Sequence, residues 1–473
     1  MAMRIVNNMP AIQTLNMLNA NSEHLAKSLQ KVSSGMKINS AADDASGYAI
    51  SERMRVQIRS LDQANRNTQN GISMLKVAEG AVSSTVDILK TLKEKVINAA
   101  NDTNTDSDRQ TIQKELDQSV DQINDNANVT FNGKILMDGS HNSQVVHDKN
   151  MRITNGGTPQ WNVARTYGRG TFTHLTNMSL SSNTGFITTK LTDLENRNGE
   201  NLGIREDDTV TISFVQEGKT YTASSQVGTM LLSNLLYTLP STATYGNELV
   251  DPEPIWDGLW CLNMGTTSLI GHDAGGNDVY TPDGEPAITI MAGGQGLTSQ
   301  IAGIAINVTD KDGNIKKSAN AVLNDWQEMI RAEEECPDNS LVLQTGTKAN
   351  QAIKVGFTDM RARALGLQGA EGNVLNISTQ LYANAAISVM DYALKRALDE
   401  QTKIGSIQSR LAYTSANLTT ASENVTASES TIRDADMAKE MTEYTKYNVL
   451  LQASQTMLSQ ANQSSSNVLS LLQ

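Results

Sequence analysis

The sequence predicts a mainly α protein with an α+β insert: N- and C-terminal helical arms that form a long antiparallel coiled-coil bundle and carry a central mixed α/β domain. Three observations lead there. All four Trp, both Cys and seven of the eight Pro fall between residues 141 and 340 of the 473-residue chain, which separates an insert from two flanks. Both flanks carry heptads of aliphatic residues. Aromatic residues make up 4% of the chain, a low share for one compact globule, as expected when helices pack on aliphatic stripes.

The C-terminal arm has the plainest period. Met390, Ala397, Ile404, Leu411, Leu418, Val425 and Ile432 recur every seven residues, with Ile387 and Leu394 as second seam positions. Further along, that second row turns polar at Gln401, Gln408, Ser415, Ser422 and Glu429, so the stripe narrows. In the N-terminal arm Met54, Ile58, Leu61, Ile72, Leu75, Val82, Val86, Leu89 and Val96 keep matching steps, interrupted by Asn65, Thr68, Glu79 and Lys93. Leu61, Leu75, Leu89, Ile404, Leu411, Leu418 and Val425 are the expected bundle seam. A shorter helix is expected to start within residues 104–116, where Ser107 and Gln110 have capping-box spacing, with Ile112, Leu116, Val120 and Ile123 as its stripe.

The outermost segments differ. Ala11, Leu15, Leu18, Ser22, Leu25, Leu29 and Val32 step by four and three, as do Met437, Met441, Tyr444, Leu451 and Leu458. Residues 5–22 and 447–473 contain no Asp, Glu, Lys or Arg, although an exposed helix normally carries charge on its outer face. Such ends are expected to pair with each other and to be buried among other copies, some faces lining a wet neutral cavity. The expected polymerisation contacts are Leu15, Leu18, Leu25, Leu29, Val32, Met441, Leu451, Leu458, Val468 and Leu471.

Several classes are excluded or disfavoured. A net charge of -13 argues against nucleic acid as the main partner, because phosphate binding needs clustered cations. No run of eighteen apolar residues exists to span a membrane, and the first residues form no secretory apolar core. The insert lacks the helical His-Glu-x-x-His of a zinc protease, and His141, His147, His174 and His272 have no ligand spacing. "DKDGN" (310–314) lacks the closing acidic residue of a calcium loop and reads as an Asp-Gly turn. No catalytic, metal or cofactor site is therefore assigned. Cys261 and Cys336 read as small hydrophobes.

Within the insert, residues 208–225 read as a hairpin turning at Glu217 and Gly218, residues 304–318 as a second strand-turn-strand, and residues 341–357 as a third. Val322, Trp326, Met329 and Ile330 suggest one helix, and Met230, Leu231, Leu235 and Leu239 another. Trp161, Trp256 and Trp260 either fill a core or form a glycan- or host-binding face.

"LQKVSSGMKINSAADDASGYAISERMR" (29–55), "NGISMLKVAEGAV" (70–82), "FNGKIL" (131–136), "DMRARALGL" (359–367), "IRDADMAKE" (432–440) and "QANQSSSNVLSLLQ" (460–473) together resemble bacterial flagellin. The resemblance covers about residues 1–140 and 341–473. It implies a non-enzymatic filament subunit for swimming motility, exported unfolded through the flagellar type III system and located in the extracellular flagellum. Its implied partners are other copies of itself, the flagellar cap protein, hook-associated junction proteins and an export chaperone at the C-terminal end. Its implied division is an inner domain from 1–42 with 434–473, a bundle domain with a β-hairpin from 43–140 with 341–433, and a surface insert from 141–340.

The family's epitope for the vertebrate Toll-like receptor places Arg and Leu where this chain has Thr91 and Lys95, and Glu where it has Glu115, implying weak recognition. A hook-filament junction protein shares the terminal heptads and is the alternative; the Ala-Asp-Asp-Ala segment favours flagellin. That segment would join two layers. Gly35 is expected to end the inner helix, Asp43 or Asp44 to cap the outer one, and Ala41, Ala42, Ala45 and Gly47 to allow neighbouring subunits close approach.

Overall fold

The structure, a computed structural model, describes residues 8–145, 153–155, 158–160, 170–181, 189–238, 244–245, 248–249, 260–262, 268–285, 287–292 and 294–471. Trp161, Trp256, His147 and Leu239 lie outside them, as do the side chains of Trp260 and Cys261. Six α-helices are described: α1 (Met9–Ser34), α2 (Ala45–Ala99), α3 (Asp106–Ala127), α4 (Lys317–Leu323), α5 (Gln380–Arg433) and α6 (Met437–Leu471). The chain divides into two compact units, one of residues 1–69, 344–352 and 412–473, the other of residues 70–343 and 353–411.

In the first unit α1 and α6 run antiparallel. Asn8 Nδ2 donates to the Ala461 carbonyl at 3.3 Å, Asn21 Nδ2 to Ser454 Oγ at 2.9 Å, and Lys31 Nζ lies 3.4 Å from Glu440. Asn8 caps α1 by accepting from the Ala11 amide, and Pro10, whose missing N–H costs nothing in a first turn, follows it. Gly35 ends the helix at φ 69°, its N–H donating to Lys31; this left-handed conformation favours a residue without Cβ. The starting portion of α2 and the last turns of α5 are antiparallel too, linked by Arg55–Glu429, Ser422–Asp62 and Ser415–Asn65 contacts. Where the helices break, Lys37 N donates to Arg433 O at 2.7 Å and Ala435 N to Gly35 O at 2.9 Å, tying the two connections side by side.

The second unit has two cores. In one, α2, α3 and α5 bury Leu75, Val82, Leu89, Val96, Leu116, Val120, Ile123, Met390, Ala397, Ile404 and Leu411, with Phe357, Leu367 and Leu375 from the segment preceding α5. Gln113 fastens that segment by donating to Leu375 O and accepting from Ile377 N. The capping box of α3 lies two residues before the expected pair: Thr105 and Asp108 satisfy each other's backbone amides. The Asp108 carboxylate reaches back where the expected pattern used the Gln110 amide.

The other core lies in the insert. A five-stranded antiparallel sheet runs in the order Ile301–Thr309, Thr209–Gln216, Lys219–Gln226, Thr244–Tyr245, Glu248–Leu249; a four-stranded sheet runs Trp260–Leu262, Ile288–Met291, His174–Asn177, Trp326–Ile330. The hairpin of residues 208–225 forms as expected, turning at Glu217 and Gly218 with φ of 50° and 74°. Residues 304–318 differ: after the strand and turn only a single bridge, Thr309 to Ile315, precedes α4. The third hairpin pairs Leu341–Gln344 with Ala352–Val355.

Two expected helices are corrected. Residues 326–330 form a strand, not a helix; Asn324 ends α4 and donates from its amide to Ile306 O. Trp326, Met329 and Ile330 have helical spacing, but Trp326, Glu328 and Ile330 are the residues turned inward. Glu328 has no place in an apolar pattern, and its buried partner, Arg396 on α5, is distant in sequence. Residues 234–238 form one wide π turn where a regular α-helix was expected, and Leu239 lies outside the described residues.

These two cores meet on α5. Gly303 lies against it so closely that a Cβ there would sit 2.7 Å from Val389 Cγ2. Tyr392 Oη donates to Trp326 O at 2.8 Å, Ser388 Oγ to Ile304 O at 3.2 Å, and the Arg396 guanidinium grips the Glu328 carboxylate with both partners buried.

Candidate functional site

The α1–α6 pair buries little. Along α1 the residues turned toward α6 are Ala11, Thr14, Leu18, Asn21, Leu25, Ser28 and Val32, and of these only Ser28 is fully buried. Along α6 the matching row is Glu440, Tyr444, Tyr447, Leu451, Ser454, Leu458 and Ala461. His24 stacks on Tyr447 with ring centroids 5.0 Å apart, and Lys446 lies over the same ring.

Of the expected polymerisation contacts, Leu18, Leu25, Val32, Leu451 and Leu458 are half-buried within the pair. Leu15, Leu29 and Met441 face away, 44%, 51% and 46% exposed. Val468 and Leu471 continue α6, and their side chains lie outside the described residues. Exposed Met9, Ile12, Met17, Val449 and Met457 extend the uncovered apolar surface, and the sequence reading missed them. It also missed Thr14, Asn21 and Ser28 as seam positions, because their recurrence every seven residues is polar.

The junction is built from side-chain caps. Asp43 Oδ2 accepts from the amides of Ser40 and Asn39 and from Ser40 Oγ at 3.0–3.1 Å. Asp44 Oδ1 accepts from the amides of Gly47 and Ser46 and from Ser46 Oγ at 3.0–3.1 Å, capping α2. The Ser40 amide holds the Asp43 carboxyl below its ordinary value, and the Gly47 amide does the same for Asp44. Gly47 has an intrachain reason to lack a side chain: a Cβ would meet Asp44 Oδ2 at 2.5 Å and Ile38 Cδ1 at 2.7 Å. Ala41, Ala42 and Ala45 are exposed.

Elsewhere, Leu61, Leu75, Leu89, Ile404 and Leu411 are buried and Leu418 and Val425 half-buried, following the polar narrowing of the seam. Thr91 is exposed on α2, and Lys95 pairs with Glu115 of α3 at 3.0 Å, both partly exposed. Asp310 accepts from the amides of Asp312 and Asn314, which closes the "DKDGN" turn on itself.

Terminal helices paired along a thin seam, with apolar residues left outward, mark a helical structural protein. Comparison with known proteins makes this specific. The bacterial flagellin N-terminal helical region matches residues 5–142 and the C-terminal helical region residues 387–472. The flagellin of Clostridium tyrobutyricum is 33% identical, covering 98% of this chain and 99% of its own length. That of Bacillus subtilis strain 168 is 28% identical, covering 99% of this chain and 100% of its own length. The chain belongs to the flagellin family: it is a non-enzymatic structural subunit of the flagellar filament, which forms by self-polymerisation.

Proposed function

We propose that the outward apolar residues of α1 and α6, Leu15, Leu29 and Met441 foremost, are the contacts by which copies pack in the filament. The supporting observation is that these residues stay exposed on helices whose terminal stretches, residues 5–22 and 447–473, carry no charge. A pair this thinly covered gains its missing burial from neighbours, so assembly and ordering of the ends reinforce each other. Within the pair, Leu18, Leu25, Val32, Leu451 and Leu458 hold the two ends together.

On this reading residues 1–42 with 434–473 form the inner layer, residues 43–140 with 341–433 the bundle around it, and residues 141–340 the outward insert. The subunit leaves the cell unfolded through the flagellar type III system and adds beneath the cap protein in an extracellular filament seated on hook-associated junction proteins. Before export a chaperone covers the C-terminal end, where Val449, Leu450 and Met457 are exposed. The Toll-like receptor for flagellin meets Thr91, Lys95 and Glu115, and binds weakly because Lys95 is already paired with Glu115 and no Arg fork is present.

Seeded polymerisation tests the contact reading. Leu15→Ser, Leu29→Ser and Met441→Ser subunits, added to sheared filament seeds and pelleted, should stay in the supernatant while their far-ultraviolet dichroism matches the parent. Pelleting equal to the parent by all three would remove these residues from the interface.

A further inference from the structure

The second unit holds a cleft of about 490 Å³, walled chiefly by residues 331–336 of the insert and by residues 358–372, which precede α5. Four arginines line it: Arg331, Arg361, Arg363 and Arg396. Two are spent on the protein itself. Arg396 is held by Glu328 and the Ala364 carbonyl, and Arg361 by both oxygens of Asp359 and the Asp138 carbonyl. Arg331 donates through Nε to Glu333 and reaches Thr358 Oγ1 through Nη2 at 3.5 Å, which leaves Nη1 unfilled among the described residues. Arg363 is used least. Its guanidinium makes no hydrogen bond among the described residues, and its one ion pair there, to Glu334, is 3.8 Å long and ends on a carboxylate 59% exposed.

Each carboxylate of the wall is either engaged or exposed. Glu333 and Asp359 are taken by Arg331 and Arg361, Asp138 caps its own turn through the Ser140 amide and hydroxyl, and Glu334 and Glu335 face water. A guanidinium partly withdrawn from water with its fork unfilled is matched by an oxoanion, which accepts two parallel N–H bonds. No aromatic ring lines the cleft, so stacking plays no part in what it holds. Gln368 suits a hydroxyl instead, since its Nε2 makes only a 3.5 Å bond to Gly372 O. An inorganic ion would fill a fraction of the volume, which is that of a pocket for a small organic molecule. We propose that this cleft binds a small hydroxylated organic anion, a sugar acid or a sugar phosphate, with its oxoanion on the Arg363 fork beside Arg331 and a hydroxyl on Gln368. The ligand bridges the insert to the segment before α5 and so steadies the insert on the bundle.

Calorimetric titration of the full-length monomer with glucuronate, glucose 6-phosphate, inorganic phosphate and neutral glucose tests this. At least one sugar anion should bind, inorganic phosphate about tenfold more weakly, and glucose not at all. Binding by glucuronate alone assigns a carboxylate to the site, and binding by glucose 6-phosphate alone a phosphoryl group. Arg363→Gln should weaken binding by about tenfold or more, and Arg363→Lys should recover part of the loss. Glu334→Gln, which removes the competing carboxylate, should strengthen binding. Melting of each variant without ligand checks that it is folded. Cys336, half-buried in the same wall, locates the ligand: its alkylation, read by peptide mapping, should slow at saturation. Silence from both sugar anions, parental binding by a folded Arg363→Gln, or an unchanged rate at Cys336 under saturation would each overturn the oxoanion site. Glucose or inorganic phosphate binding as tightly as the sugar anions would overturn the ligand class.

Discussion

Arg433, in the last turn of α5, donates to Glu52 of α2 at 2.5 Å, and its guanidinium carbon lies 5.3 Å from the centroid of the Tyr48 ring. The same side chain is buried and also reaches Ser51, while its own carbonyl accepts from Lys37. One residue therefore closes the C-terminus of α5, where a cation is favoured by the helix dipole, onto the start of α2 and onto the junction. Replacing Arg433 with Lys keeps the charge but loses the planar fork and its stacking, and Ala loses both. We expect Arg433→Ala to lower the melting midpoint by about 2 °C and Arg433→Lys to recover only part of that. Calorimetry of the monomer checks it, and an unchanged midpoint for Ala would remove Arg433 from this role.

The junction should loosen in acid. Asp43 and Asp44 have depressed carboxyl pKa values in the folded chain, the first chiefly through the Ser40 amide and the second through the Gly47 amide. Glu52 is depressed in the same direction by its hydrogen bond from Arg433. A depressed folded value means that the stabilisation is complete above the ordinary carboxylate value near 4 and is lost as pH falls through the folded value. Amides of residues 39–47 should exchange faster, relative to the intrinsic rate, at pH 3 than at pH 5. Asp44→Asn, which still accepts from Gly47, should flatten the part of this response that comes from the α2 cap. Equal relative protection at both pH values in the parent would contradict it.

The Arg396–Glu328 pair locates the insert on α5. Removing one partner leaves the other buried and charged, so Glu328→Ala should cost about 3–5 kcal/mol, whereas Arg396→Met with Glu328→Leu should come close to the parent. Urea unfolding of the monomer followed by Trp fluorescence, to which buried Trp326 contributes, reads both. Glu328→Ala and the double variant unfolding alike would rule out the uncompensated charge as the cause.

Glu328 also marks where the sequence stopped being legible. The long helices could be read because one buried face recurs every seven residues over fifty or so positions, and α2 and α5 follow Leu75, Leu89, Ile404 and Leu411 as expected. Gly35 and Asp44 were legible because a left-handed residue and an N-cap have few alternatives. The strand at 326–330 was not, since its register depends on a charge buried by a partner 68 residues away. At the α1 seam the pattern held two answers of equal period. Apolar character favoured Leu15 and Leu29, whereas the row of Thr14, Asn21 and Ser28 faces α6, with a hydrogen bond from Asn21 to Ser454.

Receptor recognition should respond to two positions on the exposed face of α2. Thr91→Arg with Lys95→Leu restores the fork and apolar anchor of the family pattern and frees Glu115, now 3.0 Å from Lys95. The exposed Lys95–Glu115 pair contributes little to folding, so the double variant should keep the parent's melting behaviour. In reporter cells bearing the receptor its potency should rise by about tenfold or more over the parent, the scale of one interface hot spot. Equal potency would place recognition elsewhere.

The most direct measurement is a helical reconstruction of filaments grown from this chain alone. The expected map shows Leu15, Leu29 and Met441 of each copy packed against helices of adjacent copies, with Asn21 still on Ser454 within the same copy. A map in which those three residues face water or the lumen, or in which α1 has turned to bury Leu15 and Leu29 against its own α6, would contradict the assignment of the assembly face.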